Sequence, residues 1–168
     1  MRRLMNSVAA ITIRRATLED ADGILDCLRA AFAPYEPNYS RAAYEDTVRT
    51  RESFVRRLDE MAVFAAVDES GRVVGTIAWK VIDHTEGHLR GMAVRPECQA
   101  RGIADQLLAY AEAELIKRKC SWITLDTTEP LERAMRFYER HGFRRAEEVR
   151  DFFGMPLIEY VKEVTAGG

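Results

Sequence analysis

The sequence predicts an α+β fold, in which a mixed, mostly antiparallel central sheet carries helices on both faces. Three observations lead to this prediction. Short apolar runs with the character of strands alternate with longer runs whose apolar residues have helical spacing. Some of the strand runs are separated only by turn signals, as in hairpins. The elements follow the order β-α-α-β-β-β-α-β-α-β-β, which implies a mixed sheet with helices on both faces.

Length, charge and cysteine content narrow the class of protein. The chain has 168 residues, which is the length of one domain. Its formal net charge of −2 argues against a dedicated nucleic-acid binder, because such proteins carry a basic excess. Three cysteines without CxxC spacing exclude a disulfide scaffold and a zinc ribbon, and no metal site is indicated.

The N-terminal residues show no targeting segment. The apolar run at 8–11 is too short for a signal peptide, which needs about 7–15 apolar residues, or for a membrane helix of about 20. We therefore expect a cytoplasmic protein without a membrane partner. Residues 1–10 are predicted to be a flexible tail, and 11–168 a single domain.

The N-terminal half begins with a short alternating strand and continues with two helices and three strands. Thr17 followed by Asp20 resembles a capping box at the start of the first helix. A tyrosine-rich loop separates the two helices. The predicted elements of this half are a strand from 12–14, helices to about 33 and over 41–58, and strands at 62–68, 73–81 and 84–94.

The C-terminal half contains the strongest helical pattern of the chain, over 100–118. Gly142 is placed to end a later helix as its C′ residue. The other predicted elements are a strand at 122–126, a helix at 131–141, and strands at 143–151 and 157–164.

The stretch from Gln99 to Ala104 lies between a predicted strand and the long helix. A loop there can direct consecutive backbone N–H groups toward phosphate oxygens, at the positive end of the helix dipole. Gly102 allows close approach, and Gln99 and Arg101 can add side-chain donors. The sequence has neither GxxxxGK(S/T) nor GxGxxG, so a plain turn stays the alternative on this stretch alone.

Two motifs resemble those of the GNAT N-acetyltransferases. Gln99, Gly102 and Ala104 match the family's (Q/R)xxGx(G/A) pattern, and the segment 134–143 resembles its AxxLYxxxGF pattern. The order of strands and helices is similar from about residue 11 to 164. One position departs, because the family often has Asn where this chain has Leu131. Thr127 or Thr128 is the candidate to replace that polar contact.

The resemblance implies transfer of an acetyl group from acetyl-CoA to an amine by direct attack. It places the pyrophosphate on the loop before the long helix. It places the pantetheine arm along the preceding strand, where two parallel strands splay apart. The residues implied to bind acetyl-CoA are Met92, Ala93, Val94, Gln99, Ala100, Arg101, Gly102, Ile103, Ala104, Thr127 and Tyr138.

Tyr138 occupies the general-acid position of the family. A phenol with a pKa of about 10 would protonate a thiolate with a pKa of about 8.5 uphill, at a cost of about 2 kcal/mol. Hydrogen bonding to the sulfur is therefore the more modest role. On the residues alone, packing of Tyr138 in a helix core is the alternative.

A proton acceptor is also expected, because an alkylamine is neutral in only about 1 molecule in 2,500 at pH 7. His88 and Glu86 share one side of a predicted strand. Some family members have Glu where His88 stands, and His is a suitable base at neutral pH. Asp126, or a chain of water molecules leading to one of these groups, is a further candidate. A structural strand histidine is the alternative.

The first two helices and the last hairpin are implied to form the acceptor pocket. Aromatic faces and a carboxylate suit a cationic amine. The predicted lining residues are Phe32, Tyr35, Glu36 and Tyr39, and a loop packed on the core is the alternative. The basic pair Arg56 and Arg57 is interpreted as a solvated face.

The implied function is acetyl-CoA-dependent N-acetylation of a primary amine, with a small molecule favoured as acceptor. The alternatives are a protein or peptide N-acetyltransferase and a catalytically silent acyl-CoA-binding module. Homodimers are common in the family and the final strands could pair, but the sequence leaves the oligomeric state open.

Overall fold

The computed structural model describes residues 10–165, so the predicted tail lies almost entirely outside the described residues. Seven strands and five helices make up the described fold. They are β1 (Thr12–Arg15), α1 (Ala21–Phe32), α2 (Arg41–Val48), α3 (Arg51–Glu60), β2 (Ala62–Val67), β3 (Val73–Val81), β4 (Glu86–Val94), α4 (Ile103–Lys117), β5 (Trp122–Thr128), α5 (Glu132–Arg140), β6 (Arg144–Phe152) and β7 (Met155–Glu163).

The strands form one sheet in the order β1-β2-β3-β4-β5-β7-β6. Only β4 and β5 pair in parallel, and every other neighbouring pair is antiparallel. The predicted mixed and mostly antiparallel sheet is confirmed.

Helices pack on both faces of the central strands, whereas most residues of the edge strands β1 and β6 are exposed. Successive residues of β2 point to opposite faces, so Phe64 packs in the core beneath α4 while Val63 packs in the core beneath α1 and α3. Leu107 of α4 and Ile24 of α1 are almost completely buried in these two cores. The predicted helices on both faces of the sheet are therefore confirmed.

The predicted single helix over 41–58 is wrong, because the chain forms two helices there. Arg49 has φ of 64° and ends α2, so the helical backbone cannot continue through it. Thr50 then caps α3, and its side chain accepts a hydrogen bond from the backbone N–H of Ser53 at 3.2 Å.

The two parallel strands separate halfway along their length. β4 pairs with β5 only over residues 86–89. β4 also has a β-bulge opposite Ile77, where Gly91 adopts φ of 60°. Beyond this point the backbones of the two strands are unpaired with one another, and a gap opens between them.

Candidate active site

A cleft of about 340 Å³ lies where β4 and β5 diverge. Most of the predicted site residues line it. Those that do are Phe32, Tyr35, Tyr39, Met92, Ala93, Val94, Gln99, Ala100, Gly102, Ile103, Ala104, Thr127 and Tyr138. The predicted residues that do not line it are Glu36, Glu86, His88 and Arg101.

The loop before α4 has the backbone shape that an anion site needs. Ala100 and Gly102 both lie in the left-handed region, with φ of 63° and 78°. The first helical bond of α4 runs from the N–H of Gln106 to the carbonyl of Gly102 at 3.1 Å. The amides of Ile103 and Ala104 precede it, so they have no partner within the helix and are free to bind an anion.

The side chain of Gln99 is already engaged. Its Nε2 donates to the carbonyl oxygen of Val94 at 3.3 Å, and its Oε1 accepts from Nη1 of Arg133 at 2.7 Å. Gln99 therefore ties the loop to β4 and α5. Arg133 also lines the cleft and adds a cation beside the loop. We did not predict it, because an arginine in the first turn of an exposed helix carries no local signal.

Thr127 carries an orphaned hydroxyl on the cleft wall. The residue is 4% exposed, and its Oγ1 has no hydrogen-bond partner. The hydroxyl of the neighbouring Thr128 is 2.6 Å from the Tyr39 hydroxyl and is thereby occupied. Leu131 lines the same wall and offers no polar group. Of the two predicted replacements for the missing Asn, Thr127 is the one with a free hydroxyl.

Tyr138 lies on the cleft wall and packs edge-on against Phe143, with ring centroids 5.8 Å apart. Burial raises the pKa of Tyr138 to about 12. The phenol therefore stays protonated throughout the physiological range and is available only as a hydrogen-bond donor or a weak acid.

Behind the cleft, His88 is held in one tautomer. The Thr124 hydroxyl donates to Oε2 of Glu86 at 3.2 Å, so it accepts from Nδ1–H of His88 at 2.8 Å. The free lone pair of Nε2 then faces Oδ2 of Asp126 at 3.6 Å. Burial lowers the pKa of His88, although Asp126 opposes the shift. The neutral ring can accept a proton on Nε2.

Asp126 is the member of this group that reaches the cleft. Its side chain is 13% exposed and lines the wall, whereas Glu86 and His88 lie behind it. Arg150 orients Asp126, because its Nη2 donates to Oδ1 at 2.9 Å and to Glu159 at 3.0 Å. The structure thus brings together three of the predicted proton acceptors and puts Asp126 foremost.

The segment between α1 and α2 covers the other end of the cleft. Tyr39 bonds to Thr128 of β5, and the Ser40 hydroxyl donates to the carbonyl of Phe153 at 2.8 Å. These contacts fasten the segment to the sheet and to the last hairpin. Glu36 is exposed and lies outside the cleft lining.

The interpretation of the Arg56 and Arg57 pair as a solvated face is wrong for one of the two. Arg56 is exposed, but Arg57 is 7% exposed and lines the cleft. Phe54, one helical turn before Arg57, is buried on the same face of α3. That spacing is the signal that could have identified Arg57.

Residues 24–143 match the sequence model of the acetyltransferase (GNAT) family. The chain belongs to this family. The match confirms the resemblance seen in the two motifs, and it makes the protein an acyltransferase by family. It also includes α1 to α5 almost entirely and the strands that form the cleft.

Solved structures of GNAT proteins share the fold over nearly the full chain. The PaiA N-acetyltransferase of Thermoplasma acidophilum, in complex with coenzyme A, superposes with a TM-score of 0.76 at 22% identity, covering 92% of this chain and 99% of that one. The ribosomal-protein-S18-alanine N-acetyltransferase of Escherichia coli gives 0.75 at 19% identity, covering 95% and 97%.

A GNAT acetyltransferase of Elizabethkingia anophelis with acetyl-CoA bound gives a TM-score of 0.65 at 18% identity, covering 92% of this chain and 98% of that one. At these identities the likeness establishes the GNAT fold. Within residues 10–165, the GNAT chain has no helix with the length and apolar character needed to cross a membrane.

Proposed function

We propose that this GNAT protein is an acetyl-CoA-dependent N-acetyltransferase that acts by direct transfer on the primary amine of a small molecule. One observation carries the proposal: a single cleft is lined both by the left-handed loop before α4 and by Asp126, with Tyr138 on its wall. Coenzyme A and acetyl-CoA are bound in two of the structural neighbours, which supports the identity of the acetyl donor.

The residues of the cleft fit an extended nucleotide thioester. The free amides of Ile103 and Ala104, with Arg133 beside them, suit a pyrophosphate. Beyond Leu89, the side of β4 that faces β5 has no strand paired with it. A pantetheine arm can pair there like an added strand. Thr127 offers its orphaned hydroxyl to the same arm. Bound here, acetyl-CoA supplies the acetyl group as a thioester.

Asp126 and His88 handle the proton of the acceptor. The amine nitrogen forms a bond to the acetyl carbonyl carbon, the C–S bond breaks, and the nitrogen loses a proton. Asp126 faces that proton in the cleft, and Nε2 of His88 lies behind it to share the charge. A proton from solvent neutralises the departing sulfur, which completes the balance.

Tyr138 stabilises the departing sulfur through a hydrogen bond. With its pKa at about 12, full proton transfer to a thiolate with a pKa of about 8.5 would be uphill by about 5 kcal/mol. The phenol therefore donates a hydrogen bond, whose strength grows as negative charge develops on the sulfur. The resemblance implied that Tyr138 is the general acid, and its raised pKa favours hydrogen bonding to the sulfur over full proton transfer.

The covering segment supports a small acceptor rather than a polypeptide. Tyr39 is fastened to Thr128, and Ser40 to Phe153, across the acceptor end. An extended peptide would need that end to be open. A protein acceptor is the second candidate, because one structural neighbour is named for acetylation of a ribosomal-protein alanine.

Release of free thiol from acetyl-CoA, measured across panels of small primary amines and of peptides, tests the proposal. We expect thiol release to accelerate with small amines. Faster release with peptides would favour the protein acceptor. Normal acetyl-CoA binding with no turnover on either panel would favour a silent acyl-CoA-binding module.

Three further parts of the proposal rest on the sequence. They are a single domain from residue 11 onward, a cytoplasmic location, and the possibility, left open by the sequence, of a homodimer through the final strands. Light scattering on the purified protein measures the dimer directly, and a monomer at micromolar concentration would contradict it.

A further inference from the structure

Arg57 is a buried cation without a partner. It is 7% exposed, and no hydrogen bond or ion pair from residues 10–165 holds its guanidinium. Asp20 is also charged and buried, but it has a partner. Its two carboxylate oxygens accept hydrogen bonds from Nη1 and Nη2 of Arg14, each at 2.8 Å. Its guanidinium meets the cleft and no protein acceptor, and a charge with so little exposure is stabilised by a bound anion, so Arg57 is a candidate to bind an anionic ligand there.

The guanidinium lies against the β4 bulge, inside the cleft. A Cβ added to Gly91 would lie 2.5 Å from Nη1 of Arg57, so the group occupies the space left by the absent side chain. Met92 follows directly in the strand and lines the same cleft. Arg57 is therefore placed at the acceptor end, next to the segment that is proposed to hold the acetyl donor.

Arg57 stays positively charged among neighbours of both signs. Burial, with Arg49 and Arg90 nearby, lowers the pKa of Arg57 to about 9, which still leaves it charged at neutral pH. Asp46 and Glu60 oppose the two neighbouring arginines without pairing to Arg57. Neither carboxylate therefore takes the place of an anionic ligand on the Arg57 guanidinium.

We propose that Arg57 binds a carboxylate of the acceptor, so that the substrate is a small zwitterion that carries a primary amine and a carboxylate. The inference rests on the proposed function and names the substrate class of that same site. The planar fork of arginine binds a carboxylate through two parallel hydrogen bonds. Asp126, on β5, then receives the amine end of the same molecule.

Paired acceptors separate the carboxylate from the amine. We compare α-amino acids with their carboxamides, whose amines are the weaker bases and so lose their protons more readily. We expect kcat/KM to favour the acid by about 10- to 100-fold, the range of a charged hydrogen bond. In Arg57→Met we expect that preference to disappear, chiefly through a rise in KM for the acids.

Two further variants serve as controls. Arg56→Met makes the same chemical change on the same helix at an exposed position, and we expect the preference to persist. Arg57→Lys keeps the charge but loses the fork, so an intermediate preference is expected. If Arg57→Met and Arg56→Met behave alike, or if acids and carboxamides react equally in the native protein, the inference is overturned.

A binding measurement distinguishes this failure from failure of the proposed function. Coenzyme A has no acetyl group to transfer, so thermal shifts in its presence report amine binding without turnover. We expect amino acids to raise the Tm of the native protein and of Arg56→Met, but not of Arg57→Met. Absence of turnover on every amine would refute the proposed function, and the thermal shifts would still decide the role of Arg57.

Discussion

Nε2 of His88 lies 3.6 Å from Oδ2 of Asp126, and of the two residues only Asp126 lines the cleft. The parallel pairing of β4 and β5 creates this relationship, because it sets His88 directly opposite Thr124. A proton that enters from the cleft therefore meets the carboxylate first and the imidazole second. This order determines what removal of each group does.

Replacement of Asp126 removes the foremost proton acceptor. In Asp126→Asn we expect kcat to fall by about 10²- to 10³-fold, as for loss of a general base, with little change in the acetyl-CoA Kd. Glu159→Gln is the matched control, since Glu159 shares Arg150 with Asp126 but does not line the cleft. Equal losses in the two variants would mean that Asp126 acts only by holding Arg150.

The acid limb of the pH profile reports His88. Its pKa is lowered from the ordinary value of 6.5 by burial, so kcat/KM is expected to begin its fall below pH 6.5. As the pH drops through 6.5, His88 becomes protonated in the unfolded chain but stays neutral in the folded chain. The free energy of unfolding therefore decreases over this pH range. Both trends should vanish in His88→Gln and persist in the exposed control His84→Gln.

We expect the phenol of Tyr138 to act when negative charge develops on the departing sulfur. In Tyr138→Phe we expect kcat to fall by about 10²-fold, with an acetyl-CoA Kd within about 2-fold of the native value. Because its pKa is about 12, no basic limb from Tyr138 should appear below pH 10. Tyr110→Phe is the control, as Tyr110 packs against Phe64 in the core. A comparable loss there would point to packing.

We expect the backbone conformation at Gly102 to affect donor binding. Gly102 and Gly71 both have positive φ, at 78° and 84°, and an added Cβ would meet nothing within 4 Å at either. Alanine at either position should cost about 1 kcal/mol of stability through backbone strain alone. Only Gly102→Ala should raise the Kd for coenzyme A, by roughly 10-fold, as measured by calorimetry. Equal affinities would place the pyrophosphate elsewhere.

We expect the unpartnered hydroxyl of Thr127 to bind a ligand and to lower the stability of the free protein. Thr127→Val should leave the free protein equally or more stable, by up to about 1 kcal/mol, because an unsatisfied buried hydroxyl is removed. It should also weaken coenzyme A binding. Thr76→Val is the matched control, because the Thr76 hydroxyl donates to the carbonyl of Phe64 at 2.9 Å. Loss of that hydrogen bond should lower the free energy of unfolding. Urea denaturation measures both.

Local signals predicted much of the fold and the donor side of the cleft. The loop at 99–104 and the helix that carries Tyr138 are contiguous in the chain, so their spacing alone shows the pattern. The break at Arg49 was missed, although Thr50 is a residue type that commonly caps a helix. A left-handed arginine has no signature in the sequence, and the backbone there lets α2 and α3 each pack against α1.

The acceptor side depended on tertiary structure. Arg56 and Arg57 are identical in chemistry and adjacent in sequence, yet the 100° step of a helix exposes one and buries the other. The same holds for His88 and Asp126, which come together only through the register of two strands far apart in the chain. The sequence by itself determined the family, the fold and the loop suited to a phosphate, because these lie in short contiguous segments. The tertiary structure alone decided which carboxylate reaches the cleft and which arginine is left unpaired, because burial and pairing arise between elements.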